Sequence, residues 1–266
     1  VLRVTGNSPP PRTIVRMGRV AERLERALTG SGIGLGDEVI VPSFVAAEVA
    51  EAVRSSGATA VFADIGADTY CLSPDEAAGA VTARTAAIVP VHRFGHRADL
   101  ARLGEVARRH GLLLLDQEED ESPAADTLRR QANAAYLTAR LKGVETPRVL
   151  PGAGHTYHQY VVRVPGNGRP DRDAFALLLR GKGIPCRVPV PTPVHRTRDF
   201  REEGSVRGPL PETDRAADAC LALPAGAQLG RRELQRVVSA CNALGGLLGS
   251  LPRPRGSGRT HSRARV

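Results

Sequence analysis

The sequence predicts an α/β protein: a mostly parallel sheet with helices on both faces, followed by a smaller C-terminal α/β layer. Three observations lead there. Short, nearly all-apolar runs (EVIVP at 38–42, TAVFA at 59–63, AAIVPV at 86–91, LLLL at 112–115) alternate with segments of helical periodicity. Strands apolar on both sides are buried on both faces, which a parallel sheet between helices provides. After Glu121 the rhythm changes to one long helix and then a strand of alternating character.

Along the chain, residues 1–16 read as irregular, because Pro9, Pro10 and Pro11 exclude helix. Met17–Thr29 carries Val20, Leu24, Ala27 and Leu28 at helical spacing and is closed by Gly30, Gly32, Gly34 and Gly36. Helices are expected over Ala46–Ser55, over Pro74–Val81 with Ser73 as N-cap, and over Ala98–His110, each between two of the apolar strands. Ligands of such sheets lie beyond the carboxyl ends of the strands. Those ends carry Ser43, Asp64, His92 and the acidic run that starts at Asp116. In the second half, Asp126–Leu141 reads as a long helix, Thr156–Val164 as a strand and Asp171–Gly181 as a helix. Ile184–Val190 reads as extended, and Glu212–Leu221 and Arg231–Leu244 as helices. The division is then an irregular segment at 1–16, a large domain at 17–125, a small domain with its linking helix at 126–250, and a disordered Arg-rich tail at 251–266.

Net charge is +9, but five arginines of the tail (Arg253, Arg255, Arg259, Arg263, Arg265) supply more than half of it with no acid among them. The basicity is therefore partly that of a solvated tail, and nucleic acid is not the expected partner. Cys71, Cys186, Cys220 and Cys241 are scattered with no CxxC pair, which argues against structural zinc and against a disulfide framework. Reduced thiols, no membrane-length apolar run and no signal-peptide core together predict a cytoplasmic protein. The chain has two lysines, Lys142 and Lys182, among 37 basic side chains.

An ordered set of segments carries a resemblance: GIGLGDEVIVPSF (32–44), GATAVFADIGADTYCLSP (57–74), TAAIVPVHRFGHRADL (85–100) and HGLLLLD (110–116), then GHTYHQYVVRV (154–164), GIPCRVPVPTPVH (183–195) and LALPAGAQL (221–229). Over most of residues 19–245 the chain resembles the DegT/DnrJ/EryC1/StrS aminotransferases, pyridoxal-phosphate enzymes of fold type I that aminate nucleotide-linked keto-sugars. The resemblance implies a remnant of the fold type I large domain with a smaller C-terminal domain. It also implies what activity requires: a lysine for the aldimine, a carboxylate on the pyridine nitrogen, and a hydroxyl- and glycine-rich helix start for the phosphate.

This sequence departs from all three. Family members carry a long segment with the lysine between the carboxylate strand and the long helix, whereas here Asp120 is followed within a few residues by Asp126–Leu141. Neither Lys142 nor Lys182 aligns with the aldimine position. The family's E-D-A-A-Q reads Asp116-Gln117-Glu118-Glu119-Asp120, so Gln117 stands where the pyridine carboxylate belongs and Asp120 where the ring-contacting Gln belongs. Asp116 could serve only after a one-residue slip that turns it to the other face of the strand. The phosphate-binding S-G-T-A-A-L becomes Arg19-Val20-Ala21-Glu22-Arg23-Leu24. Arg19, Val20, Ala21, Gln117 and Asp120 are thus vestigial cofactor positions. No bound cofactor is expected.

The run from Asp116 to Glu121, five carboxylates in six residues, fits no cation-loop spacing and reads as a solvated loop. His92 and His96 flank an H-x-x-G-like loop, and His155 and His158 read as packed strand histidines; no metal site is expected. Three readings stay open. One is a degenerate homologue without transaminase activity, binding a nucleotide sugar or pairing as a homodimer or with an intact paralogue. Another is a cofactor-independent enzyme on a sugar or amine, with Asp120, His92 or His195 as acid/base. The last is a non-functional gene remnant, in which a parallel sheet without its central strands bares an apolar edge.

Overall fold

A computed structural model describes residues 15–17, 20–117, 123–165, 171–201 and 206–248. The larger layer is a five-stranded parallel sheet. Its strands are β1 (Val15–Met17), β2 (Glu38–Pro42), β3 (Thr59–Ala63), β4 (Thr85–Ile88) and β5 (Leu113–Gln117), in the order β1-β5-β4-β2-β3. Helices α1 (Val20–Gly30), α2 (Ala47–Ser55), α3 (Pro74–Gly79) and α4 (Leu100–His110) alternate with them.

Successive strand residues face opposite sides of a sheet, and the core divides accordingly. Val39, Val41, Ala60, Phe62, Leu113 and Leu115 pack with Leu24 and Leu28 of α1 and with Val49 and Val53 of α2. Ile40, Val61, Ile88, Leu112 and Leu114 pack with Ala77 of α3 and with Leu103 and Val106 of α4. The expected helices cover both faces.

The irregular segment expected over 1–16 is corrected at its end, because Val15–Met17 form β1 with Val15 opposite Leu115 and Met17 opposite Gln117, while residues 1–14 lie outside the described residues. Three residues are too few to show a period. With Met17 in the sheet, α1 begins at Val20 rather than at Met17. β1 also covers one flank of β5. α4 begins at Leu100 rather than Ala98, since Asp99 accepts the Arg102 N–H as N-cap.

The second layer comprises α5 (Ala124–Thr138), β6 (Tyr160–Arg163), α6 (Asp171–Gly181), a 3-10 turn (Val194–Arg196), α7 (Arg198–Arg201), α8 (Pro211–Ala219), β7 (Cys220–Leu223) and α9 (Arg231–Leu248). β6 and β7 pair antiparallel, Tyr160 opposite Leu223. One face of this pair, through Tyr160, Val162 and Leu221, packs with Leu137 of α5, Phe175 of α6 and Val237 of α9. The other face, through Val161, Cys220 and Ala222, packs with Phe44, Ile65, Tyr70 and Phe94, which lie beyond the carboxyl ends of the larger sheet.

Three expectations change here. The helix expected to reach Leu221 stops at Ala219, and the apolar run Cys220–Leu223 is a strand. The strand expected over Thr156–Val164 is confined to Tyr160–Arg163, because Tyr157 takes a left-handed φ of 48° that breaks extension. Ile184–Val190 forms no strand among the described residues. It makes a single bridge, Arg187 to Ala222, and Pro185 and Pro189 have no N–H for a ladder. The tail at 251–266 lies outside the described residues.

Candidate functional site

The carboxyl ends of β2, β3 and β5 and the loop after β4 converge on one edge, where a parallel sheet offers its ligand crevice. Three polar residues there, Ser43, Asp64 and His92, are already engaged. Ser43 Oγ, just after β2, lies 2.7 Å from His195 Nδ1 and accepts the His195 N–H at 3.1 Å. The Ser43 carbonyl accepts the Val194 N–H at 3.1 Å. Asp64, just after β3, accepts from the amides of Ile65 (2.9 Å), Glu212 (2.9 Å) and Thr213 (2.8 Å), and from the Thr213 hydroxyl (2.7 Å). Its carboxylate therefore caps α8, neutralising free N–H groups and the positive end of the helix dipole.

His92 accepts the Ala98 N–H on Nδ1 at 2.9 Å. In the neutral ring the proton then resides on Nε2, which faces Asp116 Oδ1 at 3.0 Å. Both side chains are buried. Asp116 thus lies with Leu112 and Leu114 on the α4 face of β5, whereas α1 packs against Leu113 and Leu115 on the opposite face.

His195 stands between Ser43 Oγ and Asp214 Oδ1, the latter 3.2 Å from Nε2, and Arg196 reaches the same carboxylate oxygen at 2.6 Å. Hydroxyl, imidazole and carboxylate in that order are the parts of an activated nucleophile. Ser43, however, is 0% exposed and its oxygen already accepts the amide of His195, so a substrate has no approach to it. Burial lowers the His195 pKa, with Asp214 acting in the opposite sense. The contact pins the segment around Val194 to the end of β2.

A seam of rings joins the two layers. Phe94 packs edge-on against Phe44 and Tyr70, with centroids at 6.1 and 5.3 Å. His96 meets His155 at 4.1 Å, His155 meets Tyr157 at 3.9 Å, and Tyr157 stacks on Tyr160 at 6.2 Å. Burial lowers the pKa of His96 to about 4 and that of His155 to about 3, the latter also through repulsion by His96. Gly95 makes the approach possible: its φ is +112°, and a Cβ there would sit 2.5 Å from Tyr157 N. Among the described residues no three His, Cys, Asp or Glu side chains gather as a metal site.

The remaining candidates are dispersed. Val20 and Ala21 open α1, Ala21 half-buried against the core. Glu22 is exposed and pairs with Arg26 at 3.1 Å. Gln117 ends β5. Arg19 and Asp120 lie outside the described residues. Lys142, just past α5, has its amide held by Asn242 Oδ1 at 2.8 Å, and Lys182 follows α6. Both lysines belong to the second layer. The partners Thr213 and Asp214 went unnoticed in the sequence. A signal existed: α8 opens with Pro211 at its first turn, and Leu210 offers no capping side chain. A helix start without a local cap calls for a distant acceptor.

The model of the DegT/DnrJ/EryC1/StrS aminotransferase family matches residues 18–128 and 124–242. The chain belongs to that family. Within it, the L-glutamine:2-deoxy-scyllo-inosose aminotransferase of Streptomyces kanamyceticus is 49% identical over 90 residues, 34% of this chain and 21% of that protein. The dTDP-3-amino-3,4,6-trideoxy-alpha-D-glucose transaminase of Streptomyces venezuelae is 28% identical over 305 residues, 82% of this chain and 79% of that protein. That alignment is longer than the whole 266-residue chain, so the relative contributes positions with no counterpart here. Among solved structures, S. venezuelae DesV in complex with a ketimine intermediate superposes with a TM-score of 0.76 at 25% identity, covering 85% of this chain and 82% of that one. The fold type I architecture of the family is therefore present.

Proposed function

We propose that this family member is a catalytically silent, sugar-aminotransferase-like protein that acts as the partner subunit of an intact homologue. The observation that carries the reading is the placement of its lysines. Lys142 and Lys182 both sit in the second layer, after α5 and α6, while the edge of the parallel sheet is closed by Ser43–His195, Asp64–Thr213 and His92–Asp116.

Pyridoxal phosphate, the cofactor the family resemblance implies, does not fit these residues. Asp116 faces α4 and is held against His92, on the side of β5 away from α1. The start of α1 offers Val20, Ala21 and an exposed Glu22 where a phosphate would need hydroxyls and glycine. The family match breaks at residues 124–128, beside the point where we place the missing lysine segment. β1 on the flank of β5 supports a folded protein rather than a gene remnant. Four free thiols and the lack of a membrane-length helix among the described residues fit a cytoplasmic protein. A nucleotide-linked sugar is the ligand class that fits a partner of a sugar aminotransferase.

The test is incubation of purified protein with pyridoxal phosphate and L-glutamate, followed by borohydride. No amino-group transfer is expected. Transfer accompanied by a fixed adduct on Lys142 or Lys182 would overturn the silent reading. The partner role is checked by co-expression with an intact homologue, where a stable hetero-complex on size exclusion is expected; two separately eluting proteins would refute it.

A further inference from the structure

On the outer side of the second layer, α9 and the end of α6 line an open, shallow groove of about 390 Å³. It lies on the helical face of that layer, not on the β6/β7 face that meets the larger sheet. Its lining includes Lys182, Arg232, Gln235, Arg236 and Ser239, with Ile184 as an apolar floor. Arg232, Gln235, Arg236 and Ser239 fall at i, i+3, i+4 and i+7, so one stripe of α9 presents all four side by side. All four are exposed, as is Lys182 across the groove, while Ile184 is buried.

The charge is one-sided. The lining holds three cations and no carboxylate. Glu233, on the same helix, bonds the Gly230 amide at 2.8 Å instead. Arg231, the neighbouring cation, lies over the Tyr136 ring at 4.4 Å. Among the described residues none of Lys182, Arg232 and Arg236 has an acidic partner. Gly183 closes α6 at φ +74°, and a Cβ there would stand 3.6 Å from Arg236 Nη2, so the turn and that guanidinium lie close together.

Three like charges around one concavity repel each other until an anion enters. Arginines one helical turn apart offer forked donors that match phosphoryl oxygens, and Lys adds a point charge. Gln and Ser supply neutral donors. A monocarboxylate would leave most of the charge unanswered, whereas two linked phosphoryl groups carry enough charge to answer both arginines and the lysine. The volume falls in the range of small-molecule clefts, and the half-buried Ala240 with the aliphatic stems of the two arginines offers apolar surface to a sugar or base.

We propose that this groove binds a nucleoside diphosphate, with Arg232 and Arg236 on the phosphoryl oxygens and Lys182 closing the opposite side. The site is separate from the sheet edge and stands whether or not the chain transaminates.

The experiment is calorimetric titration of the full chain with UDP, pyrophosphate and orthophosphate, none of which bears an aldehyde that could react with a lysine. Saturable one-to-one binding of UDP is expected, tighter than that of pyrophosphate or orthophosphate. Arg232→Ala, Arg236→Ala and Lys182→Gln should each weaken it about tenfold, the loss of one charge-assisted contact, and Arg109→Ala on α4 should leave it unchanged. These side chains are exposed, so an unchanged melting temperature without ligand confirms that the variants fold. No binding of UDP, or equal affinity in the groove variants, would overturn the assignment. So would an RNA oligonucleotide that binds more tightly than UDP and loses affinity with the same substitutions, since the stripe would then be a polymer-binding surface.

Discussion

The carboxylate of Asp64 and the hydroxyl of Thr213, far apart in sequence, meet at 2.7 Å. One acidic side chain thereby holds the start of α8 to the end of β3, with two more amide donors from that helix turn on the same carboxylate. The bond joins the two layers.

Replacing Asp64 with Ala is expected to cost about 3 kcal/mol, because several buried donors lose their partner together. Thr213→Val removes one donor and should cost about 1 kcal/mol. Urea unfolding of both variants checks the ranking, which must place Asp64→Ala well above Thr213→Val.

Gly95→Ala should destabilise the protein by at least about 2 kcal/mol, since the backbone angle is one that side-chain-bearing residues avoid and the new methyl meets a backbone nitrogen. Gly79→Ala, with open space around it, serves as the control and should be neutral or slightly stabilising. Equal melting temperatures for the two variants would contradict the tight approach at Gly95.

The buried imidazoles make stability depend on pH. In the unfolded chain His96 and His155 take up protons near the ordinary 6.5, but in the folded state only near about 4 and about 3. Asp68 pulls the His96 value back up, though less than burial lowers it. Lowered histidine values mean that the unfolded state binds more protons below the ordinary value. The stability they contribute is therefore full above about pH 6.5 and falls as pH drops toward 4, by up to about 1.4 kcal/mol per pH unit for each ring. His155→Asn, which keeps an acceptor for the Tyr157 amide, should flatten that slope. An unchanged slope between pH 6.5 and 4 would remove His155 as its source.

An organophosphonate probe should leave Ser43 unmodified, because its oxygen is enclosed. Mass spectrometry of the treated protein decides the point: labelling of Ser43 that His195→Ala abolishes would establish a working nucleophile and favour a cofactor-independent enzyme.

The parallel layer was legible because its strands are apolar on both sides, and the structure divides Val39, Ile40 and Val41 between two helical faces. β1 and β7 were not legible. Val15–Met17 is too short to carry a period, and Cys220–Leu223 runs directly on from α8. The strand-end residues Ser43, Asp64 and His92 could be picked out by position alone. That Ser43 meets His195 and Asp64 meets Thr213 could not be read, since those contacts depend on how the second half folds back over the sheet edge; Asp116 could be picked out by position too, but not its pairing with His92. Lys182 and the α9 stripe could each be read in isolation, but only the turn at Gly183 brings them together.

The ring seam gives this protein an intrinsic optical signal. The chain has no tryptophan and four tyrosines. Tyr70, Tyr157 and Tyr160 stand in that seam, and Tyr136 lies beneath Arg140 and Arg231 on α5. Near-ultraviolet absorption and emission therefore come from Tyr70 and Tyr157 beside the junction of the two layers and from Tyr160 and Tyr136 within the second layer. Any ligand, partner or substitution that parts the two layers should be visible without a label, before secondary structure is lost.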